Sequence, residues 1–417
     1  MSQAQQTPAP KQSKTIAIVG ATAHIGDGNV IENSVIIFEN GKIQTVADGS
    51  TIRIDRTKTD IINAQGKHVY PGFIVPNSTL GLVEIDAVRA TQDSDEVGQM
   101  NPNIRSLIAY NAESKIVESM RPSGVLIGQI KPEGGRISGT SSIVQFDAWN
   151  WEDAALKVDD GVHLNWPSPY SRGRWWLGEP NVLKPNENYN NQITELTDFF
   201  AASKAYLEGD RKTKNLQYEG LKGVLDGSQK LFINVNDEKG ITDAVEFAKE
   251  NKLNIVIVGG YHAYKVANLL KQNNIPVILN GVHSLPKSDD DDYDLPFKAA
   301  KLLVDQGVLV GLQSESRNER INSRNIPFYA GTCVAYGLDK EEALKLLTSN
   351  TAKILGIDDF CGTLAEGKDA TLFISEGDAL DMRTNILTHA FIQGRNISLE
   401  THQTELAKRY SDKYKNE

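Results

Sequence analysis

Cysteine is nearly absent from the chain. Cys333 and Cys361 are the only two and lie apart from one another, which excludes a thiolate zinc cluster and a dense disulfide framework, and leaves the compartment open. No apolar run approaches the ~18 to 20 residues that a membrane-crossing helix needs, so membrane insertion is not expected. Basic residues are the minority, 44 Lys plus Arg against 54 Asp plus Glu, and the formal net charge of −10 would repel phosphate backbones and anionic lipid surfaces. Nucleic acid is therefore not an expected partner. Gly134-Gly135 and Gly259-Gly260 are isolated pairs, without the three-glycine spacing or the terminal Lys of a phosphate-binding loop. No nucleotide cofactor is implied.

What the chain does contain is an ordinary globular composition, 40% hydrophobic and 24% charged, at a length that one α/β barrel with an accessory module would account for. Residues Met1 to Lys14 are polar and proline-containing, with no charged start followed by an apolar stretch. They read as a flexible leader, the mature end of an exported protein in preference to an ordinary tail. From Thr15 to Val69 short β runs alternate with Gly, Asn and Asp turn signals, with Asn40-Gly41 as a hairpin turn. The segments GTLAEGKDATLFISEG and ILTHAFIQGRNISL repeat that texture near the other end. Residues 15–70 and 361–400 are therefore expected to form one composite β-sandwich. Between them, LFINV then ITDAVEFAKENK, NIVIV then AYKVANLLKQNN, PVILN and VLVGL alternate strands with helices. That rhythm favours a parallel barrel or a doubly wound sheet over residues 71–360, without separating the two.

One stretch, about 134–193, breaks the rhythm. It is rich in Gly, Pro and Asn and holds all five tryptophans, Trp149, Trp151, Trp166, Trp175 and Trp176. It reads as an excursion from the barrel, either an aromatic lid or partner surface or a long loop anchored by aromatic packing. The acidic run Asp289 to Asp292 with Asp294 lacks the glycine turn and closing Glu of a calcium loop, and reads as a solvated turn ahead of a helix beginning near Leu295. The tail, 401–417, is polar enough for a surface helix or frayed end.

The segment HVYPGFIVPNSTLGL, residues 68 to 82, resembles the first barrel strand of the amidohydrolase superfamily, in its imidazolonepropionase-like and dipeptidase-like branch. SGVLIGQIKPEGGRISGTSS, IPFYAGTCVAYGLDKEEALKLLTSNTAKILGID and CGTLAEGKDATLFISEGDALD resemble the same branch, so the likeness spans nearly the whole chain. It implies a (β/α)8 barrel closed by a β-sandwich from both termini, with a site at the C-terminal ends of the barrel strands. It also implies a hydrolase of amide and other C–N bonds, including dipeptide-type ones. Zinc in that family is held by a His-x-His pair on the first strand, further histidines on middle strands and an Asp on the last, an arrangement that activates a bound water.

This sequence departs from the pattern. After PGF it reads Asn77-Ser78-Thr79; the middle strand LFINVND has Asn234 at the next histidine position; and VLVGLQSES has Gln313 at the family Asp, with Glu315 two residues on. Neutral amides and hydroxyls are poor zinc ligands, so Asn77, Thr79, Asn234 and Gln313 are expected to form a pocket at former ligand positions. No metal is expected unless the site is rearranged around zinc or another divalent ion.

Of the seven histidines, His262 and His283 follow barrel strands at the face where such sites gather, as pocket residues or as hydrogen-bonded structural histidines. His163 reads as structural. His262, His283 and Glu315 are the candidate catalytic groups. Lys131 follows a βα turn, and with Glu133 and Arg136 it reads as pocket charge or as solvated loop charge. Two functions follow. One is a C–N hydrolase with a rearranged or single-metal site. The other is a non-catalytic homologue that binds a small molecule or serves as a partner subunit, in a homo-oligomer or beside an active homologue.

Overall fold

The computed structural model describes residues 7–55, 57–180, 182–314 and 319–415. Both chain ends meet in one mixed sheet. Its strands are β1 (Thr15–His24), β2 (Val30–Glu39), β3 (Lys42–Asp48), β4 (Thr59–Asn63) and β5 (His68–Pro71). Their partners from the other end of the chain are β16 (Leu372–Ser375), β17 (Leu387–Ile392) and β18 (Arg395–Asn396). The order is β18-β17-β16-β5-β1-β2-β3, with β4 beside β1. The turn between β2 and β3 places Asn40 at φ 52° and Gly41 at φ 80°, the two left-handed residues that the tightest hairpin turn requires and that an Asn-Gly pair accepts.

The barrel sheet consists of β6 (Phe73–Ser78), β7 (Val125–Ile130), β8 (Ile137–Gln145), β9 (Ala155–Asn165), β12 (Lys230–Val235), β13 (Ile255–Gly259), β14 (Val277–Leu279) and β15 (Val310–Leu312), neighbouring in that sequence order. All pairings are parallel except those of β8, which runs against β7 and β9. The seam between β15 and β6 is bridged by backbone: Leu312 N–H donates to Leu346 O and Ile74 N–H to Leu347 O. Alternation along the strands divides the core. Ile74, Ile127, Ile143, Phe232, Val256, Val258 and Ile278 form one buried cluster, closed by Ile354 and Leu355. Their sequence neighbours, such as Phe73, Val75, Leu231, Ile233 and Val277, belong to a second cluster that includes helix residues such as Ala244, Leu270 and Leu303.

Two sequence expectations are corrected. Residues 134–193 do not leave the barrel as one excursion, because β8 and β9 lie within it. Their small and polar residues, ISGTSSIVQ above all, are fully buried by pairing on both sides, and a buried strand of this composition has no apolar run to announce it. Only the segment beyond Asn165 projects, with a short hairpin of β10 (Tyr170–Arg172) and β11 (Leu183–Pro185) on which Trp176 is exposed while Trp166 is buried. The described part of the leader is held down: Ala9 N–H donates to Asp147 Oδ2 at 2.9 Å, and Gln12 bonds both Phe38 O and the Gly41 N–H. The acidic run precedes the helix Leu295–Asp305, but it is not wholly solvated, since the Asp291 side chain is buried and accepts from Tyr261 OH at 2.8 Å; the tail forms the exposed helix His402–Lys415.

Candidate functional site

The first barrel strand ends in an irregular corner. Its pairing with β7 shifts so that Pro76 and Asn77 stand against the single residue Gln129. Asn77 takes a left-handed backbone, φ 53°, a conformation that Asn tolerates better than most side chains and that gathers at functional sites. Its N–H donates to Gln129 Oε1 at 3.0 Å and its Nδ2 to Gln313 Oε1 at 2.5 Å. Gln129 Nε2 donates to Asp160 Oδ2 at 2.7 Å, and Ser141 Oγ donates to Asp160 Oδ1 at 2.8 Å. A polar belt thus crosses the barrel from β15 to β9. Burial pushes the Asp160 carboxyl up to about 6, against the pull of the Ser141 and Gln129 hydrogen bonds.

Ser78 and Thr79 are spoken for by another group. The carboxylate of Glu319, at the start of the one-turn helix Glu319–Asn322, accepts from Thr79 N–H at 2.7 Å, Thr79 Oγ at 2.5 Å and Ser78 Oγ at 3.0 Å. The residue as a whole keeps some surface, but the carboxylate is enclosed, and that burial raises its pKa while the Thr79 hydroxyl and the Lys131 charge oppose the rise.

Beside this corner opens a cavity of about 230 Å³. Asn77 forms one wall. The turn after β7 contributes Lys131 and Glu133, whose Nζ and Oε1 lie 2.7 Å apart, with the lysine largely covered and the glutamate half exposed. Gly134 and Gly135 follow with φ of 79° and 60°, and this turn aims their carbonyls at Ser138 Oγ and Asn165 Nδ2 respectively. Asn165 Oδ1 in turn accepts from Asn234 Nδ2 at 3.2 Å. Deeper in, His163 stacks on Phe232 with ring centres 4.9 Å apart and planes 7° from parallel. Gly161 leaves the room for this, since a Cβ there would collide with the Phe232 ring. Burial, helped by the Lys131 charge, holds the His163 pKa well below its ordinary value, so the ring is a neutral imidazole. Among the described residues its buried Nε2 has no hydrogen-bond partner.

The structure brings Asn77, Gln313 and Asn234 to one place: Asn77 and Asn234 line the cavity and Gln313 bonds Asn77. Thr79 is turned to Glu319. This donor set does not fit zinc. Two of the carboxamides are bonded to each other, the third to Asn165, and the hydroxyl is given to a carboxylate, whereas zinc takes imidazole, thiolate or carboxylate. Among the described residues no group of three or more His, Cys, Asp or Glu side chains is placed to hold a metal ion.

His262 and His283 are not brought into the cavity. His262 packs edge-on against Tyr261 with Nε2 3.9 Å from Asp291 Oδ1. His283 bonds Thr332 Oγ at 2.7 Å and faces Tyr329 in a separate groove. Burial lowers the pKa of both. Both lie in loops that turn away after their strands, a direction that strand position alone does not give. Glu315 lies outside the described residues. Glu319, His163 and Asp160 were not legible as site residues, although the alternation of His163 with Asn165 along β9 was a signal that both side chains share one face.

Residues 227–400 match the model of the Amidohydrolase family. No curated protein matches the chain. Among solved structures, an amidohydrolase from Thermotoga maritima MSB8 is similar over 92% of this chain and 99% of its own, with a TM-score of 0.78 at 23% identity. Molinate hydrolase aligns over 93% and 95% at TM-score 0.56 and 16% identity. An Xaa-Pro dipeptidase with bound methionine in the active site aligns over 92% and 100% at TM-score 0.55 and 12% identity. The barrel and terminal sheet together are thus the architecture of the solved amidohydrolases, and the match to the Amidohydrolase family model is confined to residues 227–400.

Proposed function

We propose that the barrel mouth is a small-molecule pocket from which the family's binuclear metal centre has been given up, so that the site binds its ligand without metal-assisted hydrolysis. The observation that carries this reading is the hydrogen bond between Asn77 Nδ2 and Gln313 Oε1, which joins the first- and last-strand ligand positions to each other through neutral amides. Retained as a pocket, the mouth serves a binding protein or a partner subunit of an active homologue. Elemental analysis of purified protein dialysed against metal-free buffer tests this: zinc far below one ion per chain is expected, and one or two stoichiometric metals would overturn it.

A second reading, a hydrolase of C–N bonds that works with a rearranged site, is supported by the family match over residues 227–400 and by the hydrolases among the structural neighbours, phenylurea hydrolase B included. Under it, an amide and dipeptide panel is turned over by the dialysed protein, and added zinc raises the rate. Absence of turnover with and without zinc decides for the first reading.

A further inference from the structure

The pocket has a sign of charge that it should refuse. Lys131 is the one cationic side chain lining the cavity among the described residues, and it is already accompanied by two carboxylates. Glu133 Oε1 touches its Nζ at 2.7 Å, and the enclosed Glu319 carboxylate lies near enough to feel its charge. Arg136, just outside, donates to Asn165 O and has Glu195 in its field. His163 adds no positive charge, because it is held neutral. An incoming carboxylate would share Lys131 with Glu133 and sit in the field of both glutamates. Like charges so placed disfavour a partner strongly.

The remaining lining is uncharged, with hydrogen-bonding Asn77, Ser138, Asn165, Asn234 and His163 beside apolar Pro132, Leu164, Phe232 and Val258. Carboxamides and a neutral imidazole each offer a donor or an acceptor. The Nε2 of His163 is buried behind this wall and, among the described residues, has no hydrogen-bond partner, so the ring lines the cavity as a neutral imidazole. At about 230 Å³ the cavity is smaller than the roughly 300 to 1,000 Å³ of drug-sized sites.

We infer that the mouth selects a small uncharged molecule bearing amide or hydroxyl groups and discriminates against the corresponding carboxylate, with the Glu133–Lys131 pair as the selecting device. The inference rests on the reading of the mouth as a ligand pocket and adds the class of ligand.

Two matched pairs of probes separate the chemistries: N-acetylglycinamide with N-acetylglycine, and glycerol with glycerate. Binding is followed on the full chain by saturation-transfer NMR and titration calorimetry. At least one neutral probe is expected to bind ten-fold or more tightly than its anion, and the pair that shows this identifies amide or hydroxyl as the recognised group. Glu133→Gln, at a half-exposed position, leaves Lys131 uncompensated on that side and is expected to shrink the ratio about ten-fold by strengthening the anion. His163→Phe keeps the stacking on Phe232 and is expected to weaken the neutral probe. Equal binding of neutral and anionic probes to the native chain would overturn the ligand class while leaving the pocket reading intact. So would a Glu133→Gln ratio that does not move. Binding of no probe would overturn the inference, and stoichiometric metal in the same preparation would overturn the reading beneath it.

Discussion

The two parts of the barrel differ in what they keep. Residues 227–400 retain the strand-helix rhythm and match the family model, with β12 to β15 all parallel. Residues 73–165, outside that match, include a reversed strand, a bulged first strand, the glycine turn at Gly134-Gly135 and the belt around Asp160. Most of the cavity's polar lining comes from this part: Asn77, Lys131, Glu133, Ser138, His163 and Asn165. The later strands add Phe232, Asn234 and Val258. The contrast teaches that a match to a family model over one part of a chain does not describe a cavity whose polar lining comes mostly from another part, which is why fold and function have to be argued separately.

If residues 73–165 carry buried polar groups at a cost, that cost should titrate. Asp160 is the clearest case, with its carboxyl raised to about 6 from 3.8. A carboxyl raised by folding contributes stability that is fully present below its unfolded pKa and is lost as pH rises through the folded one. The expected loss between pH 4 and pH 7 is about 3 kcal/mol for a shift of roughly two units. Urea unfolding at both pH values should show Asp160→Asn flatter than the native protein by that amount, since the amide can still accept from Gln129 and donate to Ser141. A native-like slope in the variant would remove Asp160 from the account.

The next effect concerns Glu319. Thr79→Val keeps the shape of a buried side chain and removes the hydroxyl that donates to the enclosed carboxylate. A hydrogen bond to a charged buried group of this kind is worth about 2 kcal/mol, so chemical denaturation should show that loss at pH 7. A change below about 0.5 kcal/mol, the usual size for an unconstrained surface position, would mean that Glu319 does not anchor the first-strand corner.

How much of this was legible in the sequence follows the same division. The β12 to β15 strands announce themselves as apolar runs followed by amphipathic helices, and Asn40-Gly41 names its own turn. The resemblance put Asn77, Thr79, Asn234 and Gln313 at strand ends; Asn77 and Asn234 line the cavity, Gln313 bonds Asn77, and Thr79 turns to Glu319. The strand β8 was hidden, since ISGTSSIVQ owes its burial to neighbours on both sides and not to hydrophobicity. Glu319 was hidden for a different reason: its partners Ser78 and Thr79 lie some 240 residues away, and nothing local marks a glutamate whose role is set by a distant strand. The directions of the His262 and His283 loops were hidden in the same way, by tertiary packing.

The smallest expected effect tests whether the reversed strand is a full member of the barrel. Ile143 on β8 and Ile278 on β14 are both fully buried and belong to the same interior cluster with Ile74, Phe232 and Val258. Removing one methylene from either leaves the same small void, so Ile143→Val and Ile278→Val should each cost about 1 kcal/mol. Equal losses in thermal or urea unfolding place β8 in the barrel on the same footing as the parallel strands of the family-matched half. A loss confined to Ile278→Val would break the comparison, because a strand that merely lay across the outside of the barrel would have no interior contact to lose.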